Sequence, residues 1–367
     1  MKCKLPVVCC MVCGIVFNVS AQIDLGTDDI IGDEPSLEQS NPPKGEPSAF
    51  DNLNLFGGDN ADKQPAPETI DSLKEKAHNG DEQAQLDLGY MFLYGANGAN
   101  IDYKQAMHYY GLAAERKNPV ALNNMGSLYF NGIGAEVDYS KAINYFEDAA
   151  RLGSDDAALN LAIIYLGDSK KNKSVDEWQK IYDLLNQAQK SNYAAKFLLG
   201  CAYYDAFLVD KNYVKAFYLI KEAADNHYDE AQYILADLYI KGHGTPKNYS
   251  QAVKYLRAAV AQGHKDAIMR LGDILSEGKI YTKNIMNAHV LYNVASVFGV
   301  KGAAEKRDNL EKMIKIEDLL AVQANAENFK PEPSANTLFI RQTFGESMKA
   351  YIDTNIDRAS KVKINTK

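Results

Sequence analysis

Between about residues 81 and 299, the apolar positions of the chain fall into one phrase that returns six times. Its clearest copy is the triplet Met125, Gly126 and Tyr129. The counterparts are Leu88, Gly89, Phe92; Leu161, Ala162, Tyr165; Leu199, Gly200, Tyr203; Leu235, Ala236, Tyr239; and Leu271, Gly272, Leu275. The small residues at 89, 126, 162, 200, 236 and 272 lie 37, 36, 38, 36 and 36 positions apart, a period that marks a repeat architecture.

About 16 residues after each triplet comes a second motif with i, i+4, i+7 spacing, which lines one face of a helix. In the second copy it is Ala142, Phe146, Ala149; in the first it is Ala106, Tyr110, Ala113; in the sixth it is Ala288, Tyr292, Ala295. Every copy therefore reads as two antiparallel helices. One pair cannot bury its apolar face alone, so the copies are expected to stack into an all-α solenoid, an α/α array of about six helix pairs. Gly126 costs its helix about 1 kcal/mol of propensity. The expectation is that it lets the first helix approach the alanine face of the second, with Tyr129 filling the space beside it.

The connecting segments support this division. FNGIGAEVDYSKA (130–142), LYGANGANIDYKQA (93–106) and IKGHGTPKNYSQA (240–252) place glycines where one helix stops and Asp or Asn where the next starts. The third copy carries SKKNKSVDEWQ instead, which predicts a longer turn. After Gly299 the phrase decays, and AAEKRDNLEKM and IEDLLAVQANAEN read as a polar-faced helical cap on the end of the stack. KPEP (330–333) then breaks the chain. Beyond it Ile340, Phe344, Met348, Ile352 and Ile356 predict an amphipathic helix before a basic end. That helix either docks on the solenoid or serves an oligomer or membrane contact.

The start of the chain has a different pattern. Lys2 and Lys4 precede the apolar run LPVVCCMVCGIVF and then Val19-Ser20-Ala21, the layout of a cleaved secretory leader. Residues 22–67 are acidic and punctuated by proline, without an apolar period, and read as a flexible tether. The expected organisation is a leader (1–21), this tether (22–67), the solenoid with its cap (68–329) and an amphipathic extension (330–367). Export places the protein in the periplasm, at the outer membrane or outside the cell; a eukaryotic lumenal protein is the alternative. Four of the five cysteines lie in the leader, so Cys201 alone stays in the mature chain, as a packing residue in FLLGCAYY. The formal charge of −8 argues against nucleic acid as a partner.

The combination of A-x-x-x-L-G-x-x-Y, a glycine loop, D-Y-x-K-A and a closing Ala-Ala pair resembles the Sel1-like repeats, relatives of the tetratricopeptide repeat. The resemblance covers roughly residues 80–299. It implies a curved solenoid that acts as an adaptor for other proteins, and exported bacterial members include factors used in host interaction. A cysteine-stapled subgroup also exists, whose cysteines are not found here.

Little in the sequence points to catalysis. The histidines at 108, 227, 243, 264 and 289 fall at repeat turns, in a loop and on second helices and form no ligand set. GANGAN (95–100) has neither the strand before it nor the Gly-Lys-Ser/Thr after it that a phosphate loop needs. No nucleophile has a base at motif spacing, so no catalytic, cofactor-binding or metal-binding residue is assigned.

By analogy with tetratricopeptide arrays, first-helix positions outside the triplet line the concave face and bind a protein or peptide partner. They are Tyr90, Leu93 and Tyr94 in copy one, and Asn123, Ser127, Phe130 and Asn131 in copy two. Copy four supplies Phe197, Tyr204 and Asp205, copy five Tyr233, Asp237 and Lys241, and copy six Asp273 and Glu277. The competing reading packs some of these aromatics between repeats. The acids of copies five and six favour a partner with a basic segment. Peripheral envelope association and the oligomeric state stay open, as does a second function class, an envelope enzyme or peptidoglycan accessory acting on a small substrate.

Overall fold

The structure is a computed structural model that describes residues 69–167 and 173–344. The leader, the tether and the sequence after Phe344 lie outside the described residues. A first helix, α1 (Ile70–His78), precedes six pairs: α2 (Glu82–Tyr94) with α3 (Tyr103–Glu115), and α4 (Pro119–Asn131) with α5 (Tyr139–Arg151). Then come α6 (Asp155–Gly167) with α7 (Val175–Ala188), and α8 (Tyr193–Asp205) with α9 (Tyr213–Asp225). The last pairs are α10 (Asp229–Lys241) with α11 (Tyr249–Ala261) and α12 (Lys265–Glu277) with α13 (Ile285–Val297). The cap is α14 (Ala303–Glu311) and α15 (Ile316–Glu327), and α16 (Ala335–Phe344) follows. From α1 to α14 each helix packs on its sequence neighbours, and α15 packs on α13. The core runs along the stack from Tyr110 onward, with a smaller cluster around Leu73 and Leu88 at its start.

Helix ends are set by the residues expected. Asp102, Asp138, Asn212, Asn248 and Asn284 cap the second helices, each side chain accepting backbone N–H bonds of the first turn. First helices end on left-handed glycines at 95, 132, 242 and 278, whereas copy four places Ala206 there at φ 60°. In copy three, Ser174 and Glu177 form a reciprocal capping box that starts α7.

The small residue of each first helix has a different neighbour from the one expected. A β-carbon on Gly126 would meet the ring of Phe146 at 2.8 Å, one on Gly89 the ring of Tyr110 at 2.6 Å, and one on Gly272 the ring of Tyr292 at 2.8 Å. The glycine therefore makes room for the middle residue of the second-helix motif, not for its alanines. Where the small residue is Ala162 or Ala236, that middle residue is Leu185 or Leu256. Tyr129 lies outside this contact and stacks on Tyr145 with ring centroids 5.7 Å apart.

The cap departs from a polar-faced pair, since Met313, Ile316 and Leu320 are 58%, 68% and 67% exposed. The chain then turns back along the edge formed by the inter-repeat turns. Phe329 packs edge-on against Phe298, and the Glu332 amide donates to the Ala261 carbonyl at 2.9 Å. Ser334 and Asn336 donate to the carbonyls of His227 and Asn226 at 2.6 and 2.7 Å. Thr337, fully buried, donates to Gln262 Oε1 at 2.7 Å and accepts from the Asp229 amide at 3.0 Å. Arg341 closes the strap with a 2.5 Å ion pair to buried Asp229. Of the two readings of the extension, this part docks on the solenoid.

Candidate functional site

The proposed partner-facing residues separate into two groups by their burial. In copy two, Asn123, Ser127 and Phe130 are buried. Asn160 of the next first helix donates to Asn123 Oδ1 at 3.0 Å, Ser127 donates to the Asn123 carbonyl, and Phe130 meets Tyr139 edge-on. Asn131 is half-buried and donates to the Ser127 carbonyl at 2.9 Å. Phe197 in copy four has no exposed surface and packs near Tyr228. Asn123, Ser127, Phe130 and Phe197 therefore offer no surface to a partner. Neighbouring first helices lie side by side, so positions that look outward within one pair are covered by the next pair. Asparagines at 123 and 124, with Asn160 standing one repeat after Asn124, were the signal available in the sequence.

The second group is accessible in part. Tyr90 and Tyr94 are half-buried and pair with ring centroids 4.8 Å apart. Tyr204 and Asp237 bridge copies four and five through a 2.9 Å hydrogen bond, the phenol donating. Burial, reinforced by that carboxylate, pushes the Tyr204 hydroxyl well above its ordinary range. Asp237 also holds Lys241 at 2.6 Å. Tyr233 stacks on His264 of the following copy at 4.8 Å, and its hydroxyl is raised, chiefly by burial. Asp205 is half-buried beside this cluster in sequence.

Two residues absent from the sequence-based set join it. Tyr213, at the start of α9, meets Tyr204 edge-on at 5.8 Å and stacks on His243 at 4.1 Å. His243 Nδ1 is buried and makes no hydrogen bond within the protein. His243 lies in a loop and Tyr213 is the first residue of its helix, where helical periodicity carries little information.

The acids are not available as an acidic strip. Asp237 is held as described, Asp273 accepts from Tyr292 at 2.8 Å and pairs with Lys306 at 2.5 Å, and Glu277 pairs with Lys279 at 3.2 Å. The motive for a basic partner segment is thereby removed. Among the described residues no group of three metal-ligating side chains converges, and no helix is long and apolar enough to cross a membrane.

Stacked helix pairs with a half-open aromatic row across their first helices define an α-helical repeat scaffold. The Sel1 repeat model matches residues 82–118, 119–154, 194–228, 229–264 and 265–296. The chain is a Sel1 repeat protein, and the third pair, α6 with α7, keeps the architecture outside the matched residues. Sel1 repeats generally mediate protein–protein interaction and act as scaffolds rather than enzymes. Among solved structures, the chain is similar to a protective antigen present in uropathogenic Escherichia coli strains, at 23% identity and TM-score 0.58. That likeness covers 81% of this chain and 61% of the antigen's. It is also similar to a Sel1 repeat protein from Oxalobacter formigenes, at 20% identity and TM-score 0.53, covering 62% of this chain and 94% of that one. At these identities the likeness establishes the fold alone. No protein of curated function matches significantly.

Proposed function

We propose that this protein is an exported adaptor that binds an extended peptide or a partner helix on the first-helix face of copies four and five. One observation carries the reading: Tyr204, Tyr213, His243 and Asp237 form a half-open cluster across two repeats, with a buried, unpartnered His243 Nδ1. Tyrosine supplies amphipathic contact area at low entropy cost, and such residues concentrate binding energy at interfaces. Tyr90 and Tyr94 extend the face toward copy one. The enzyme reading is not favoured by any observation.

Export rests on the sequence of residues 1–21. N-terminal sequencing of the protein from a native envelope fraction is expected to start at Gln22; an intact Met1 in that fraction would remove export from the proposal. Host interaction is the more specific form, motivated by the resemblance to exported repeat factors.

Binding is tested by crosslinking capture with the full chain as bait, from envelope extract and host lysate, beside a Tyr204→Ala, Tyr233→Ala variant that melts cooperatively. A partner held by the parent and reduced at least tenfold in the variant supports the face. Equal capture by both moves the site elsewhere, and capture of nothing by either overturns the adaptor reading.

A further inference from the structure

The edge of the stack that carries the within-repeat loops has one position whose packing role is constant while its chemistry changes. It lies two residues before the start of each second helix. In copies one, two, five and six its side chain lies over the left-handed glycine that ends the first helix, whereas copy four ends that helix on Ala206. A β-carbon on Gly95 would meet Ile101 Cγ1 at 3.1 Å, one on Gly132 would meet Val137 Cγ2 at 2.7 Å, and one on Gly242 would meet Lys247 Cγ at 3.0 Å. On Gly278 it would meet Lys283 Cβ at 2.7 Å. The aliphatic stem of lysine therefore does the same covering as isoleucine or valine. Packing alone does not decide between them.

The choice is nevertheless sorted along the stack. Copies one and two carry Ile101 and Val137, which remain 57% and 50% exposed. Copies four, five and six carry Lys211, Lys247 and Lys283, all exposed, with Lys211 Nζ 5.4 Å from the Tyr213 ring centroid. One edge thus has an apolar half and a basic half, although Asp210 sits beside Lys211 and Glu277 is already paired with Lys279.

The described chain begins on this edge. Helix α1 joins α2 through the turn Asn79–Asp81 on the opposite edge and packs antiparallel to it. Its N-cap Thr69 therefore lies toward the loop edge, beside copy one. Reading back from Thr69, the sequence first offers the apolar run FDNLNLF at 50–56. It then offers Asp24, Asp28, Asp29, Asp33, Glu34 and Glu38, a stretch from 24 to 38 with no basic side chain. Apolar then acidic in the segment is the order of apolar then basic on the edge.

We propose that this loop edge is a docking track for the chain's own N-terminal segment, with residues 50–56 on the Ile101 and Val137 half and residues 24–38 on the lysine half. The lengths allow it. The 13 residues from Phe56 to Thr69 reach up to about 45 Å, and the roughly 30 residues from 24 to 56 reach about 100 Å. Neighbouring helices are about 10 Å apart, so the five steps from copy one to copy six are covered. The acidic half engages exposed charges, so its contacts weaken as salt shortens the screening length from about 8 Å toward 3 Å. The track meets the first-helix cluster where Lys211 lies over Tyr213, but its readout is a link within one molecule that needs no partner, so the two readings fail independently.

The test uses the full chain at low micromolar concentration. A carbodiimide, which joins carboxylates to amines without a spacer, is expected to link residues 24–38 to Lys211, Lys247 or Lys283 within one molecule. The yield should fall at least fivefold in a Lys211→Glu, Lys247→Glu, Lys283→Glu variant and in 0.5 M salt. Independently, a benzophenone amino acid in place of Phe56 in the otherwise unaltered chain is expected to capture the loops around Ile101 and Val137. Links spread evenly over lysines of other faces, benzophenone capture away from those loops, or links found only between two molecules would each overturn the proposal.

Discussion

Gly126 lies so close to Phe146 that a β-carbon built on it would come within 2.8 Å of the ring. Where the first-helix small residue is alanine instead, at 162 and 236, the partner position carries Leu185 or Leu256 in place of an aromatic. In five of the six pairs the two side chains thus trade size, glycine with an aromatic ring or alanine with leucine, as close-packed interiors demand, while in copy four a β-carbon on Gly200 would meet Ile220 at 2.6 Å.

Gly126→Ala is accordingly expected to destabilise the stack by about 1–3 kcal/mol, despite alanine's better helix propensity, because the Phe146 ring must shift. Phe146→Leu should recover at least half of that loss when combined with it. Urea unfolding of the two single variants and the double variant measures the coupling; simple additivity would show that the ring moves without cost.

The Asn160 to Asn123 hydrogen bond is buried between neighbouring first helices. Replacing Asn160 by leucine leaves the Asn123 side chain without that donor, and a loss of about 1–3 kcal/mol is expected. Replacing both by leucine should cost less than the single change. Thermal melting monitored by circular dichroism distinguishes the two cases.

Arg341 is the only strap residue that meets the buried Asp229 carboxylate with a charge among the described residues. Arg341→Ala is expected to raise hydrogen exchange of the Asp229 amide, which donates to Thr337 Oγ1, by at least tenfold. Thr337→Val should do the same by removing the acceptor. Exchange at the Asn123 turn of helix α4, far along the stack, should stay unchanged in both.

His264 caps α12 through Nδ1, which accepts the Ala267 amide at 3.2 Å and so requires the neutral ring. Burial lowers its pKa from the ordinary 6.5, with Arg341 acting the same way and Asp229 and Asp266 opposing. A base whose folded pKa is depressed binds fewer protons folded than unfolded. Its contribution is therefore complete above pH 6.5 and is lost as pH falls below that value toward the folded pKa. Asn118 and Asn192 hold the equivalent capping position in copies two and four. His264→Asn should therefore preserve the cap and flatten the decline in melting temperature between pH 7 and pH 5; an unchanged slope would assign the decline to other groups.

Periodicity, small-residue spacing and cap residues are local properties, and the sequence by itself determined the helix pairs, their number and the stacked all-α class. The longer turn expected in copy three is not found, since seven residues separate α6 from α7 as they do α4 from α5. The sequence also marked copy three as irregular, and the family model leaves that copy unmatched. Which face of a helix stays open depends on residues more than 30 positions away, and there tertiary structure decided. Asn123 is covered where Asn160 of the next first helix meets it, Phe130 by Tyr139 of its own pair and Phe197 by Tyr228 at the head of the next first helix, while Tyr204 stays half-open and finds Asp237. The strap likewise could not be read locally: its hydrogen bonds join residues more than 70 positions apart, reaching the turn carbonyls of Asn226 and His227 and the Gln262 side chain, which only the assembled stack brings together.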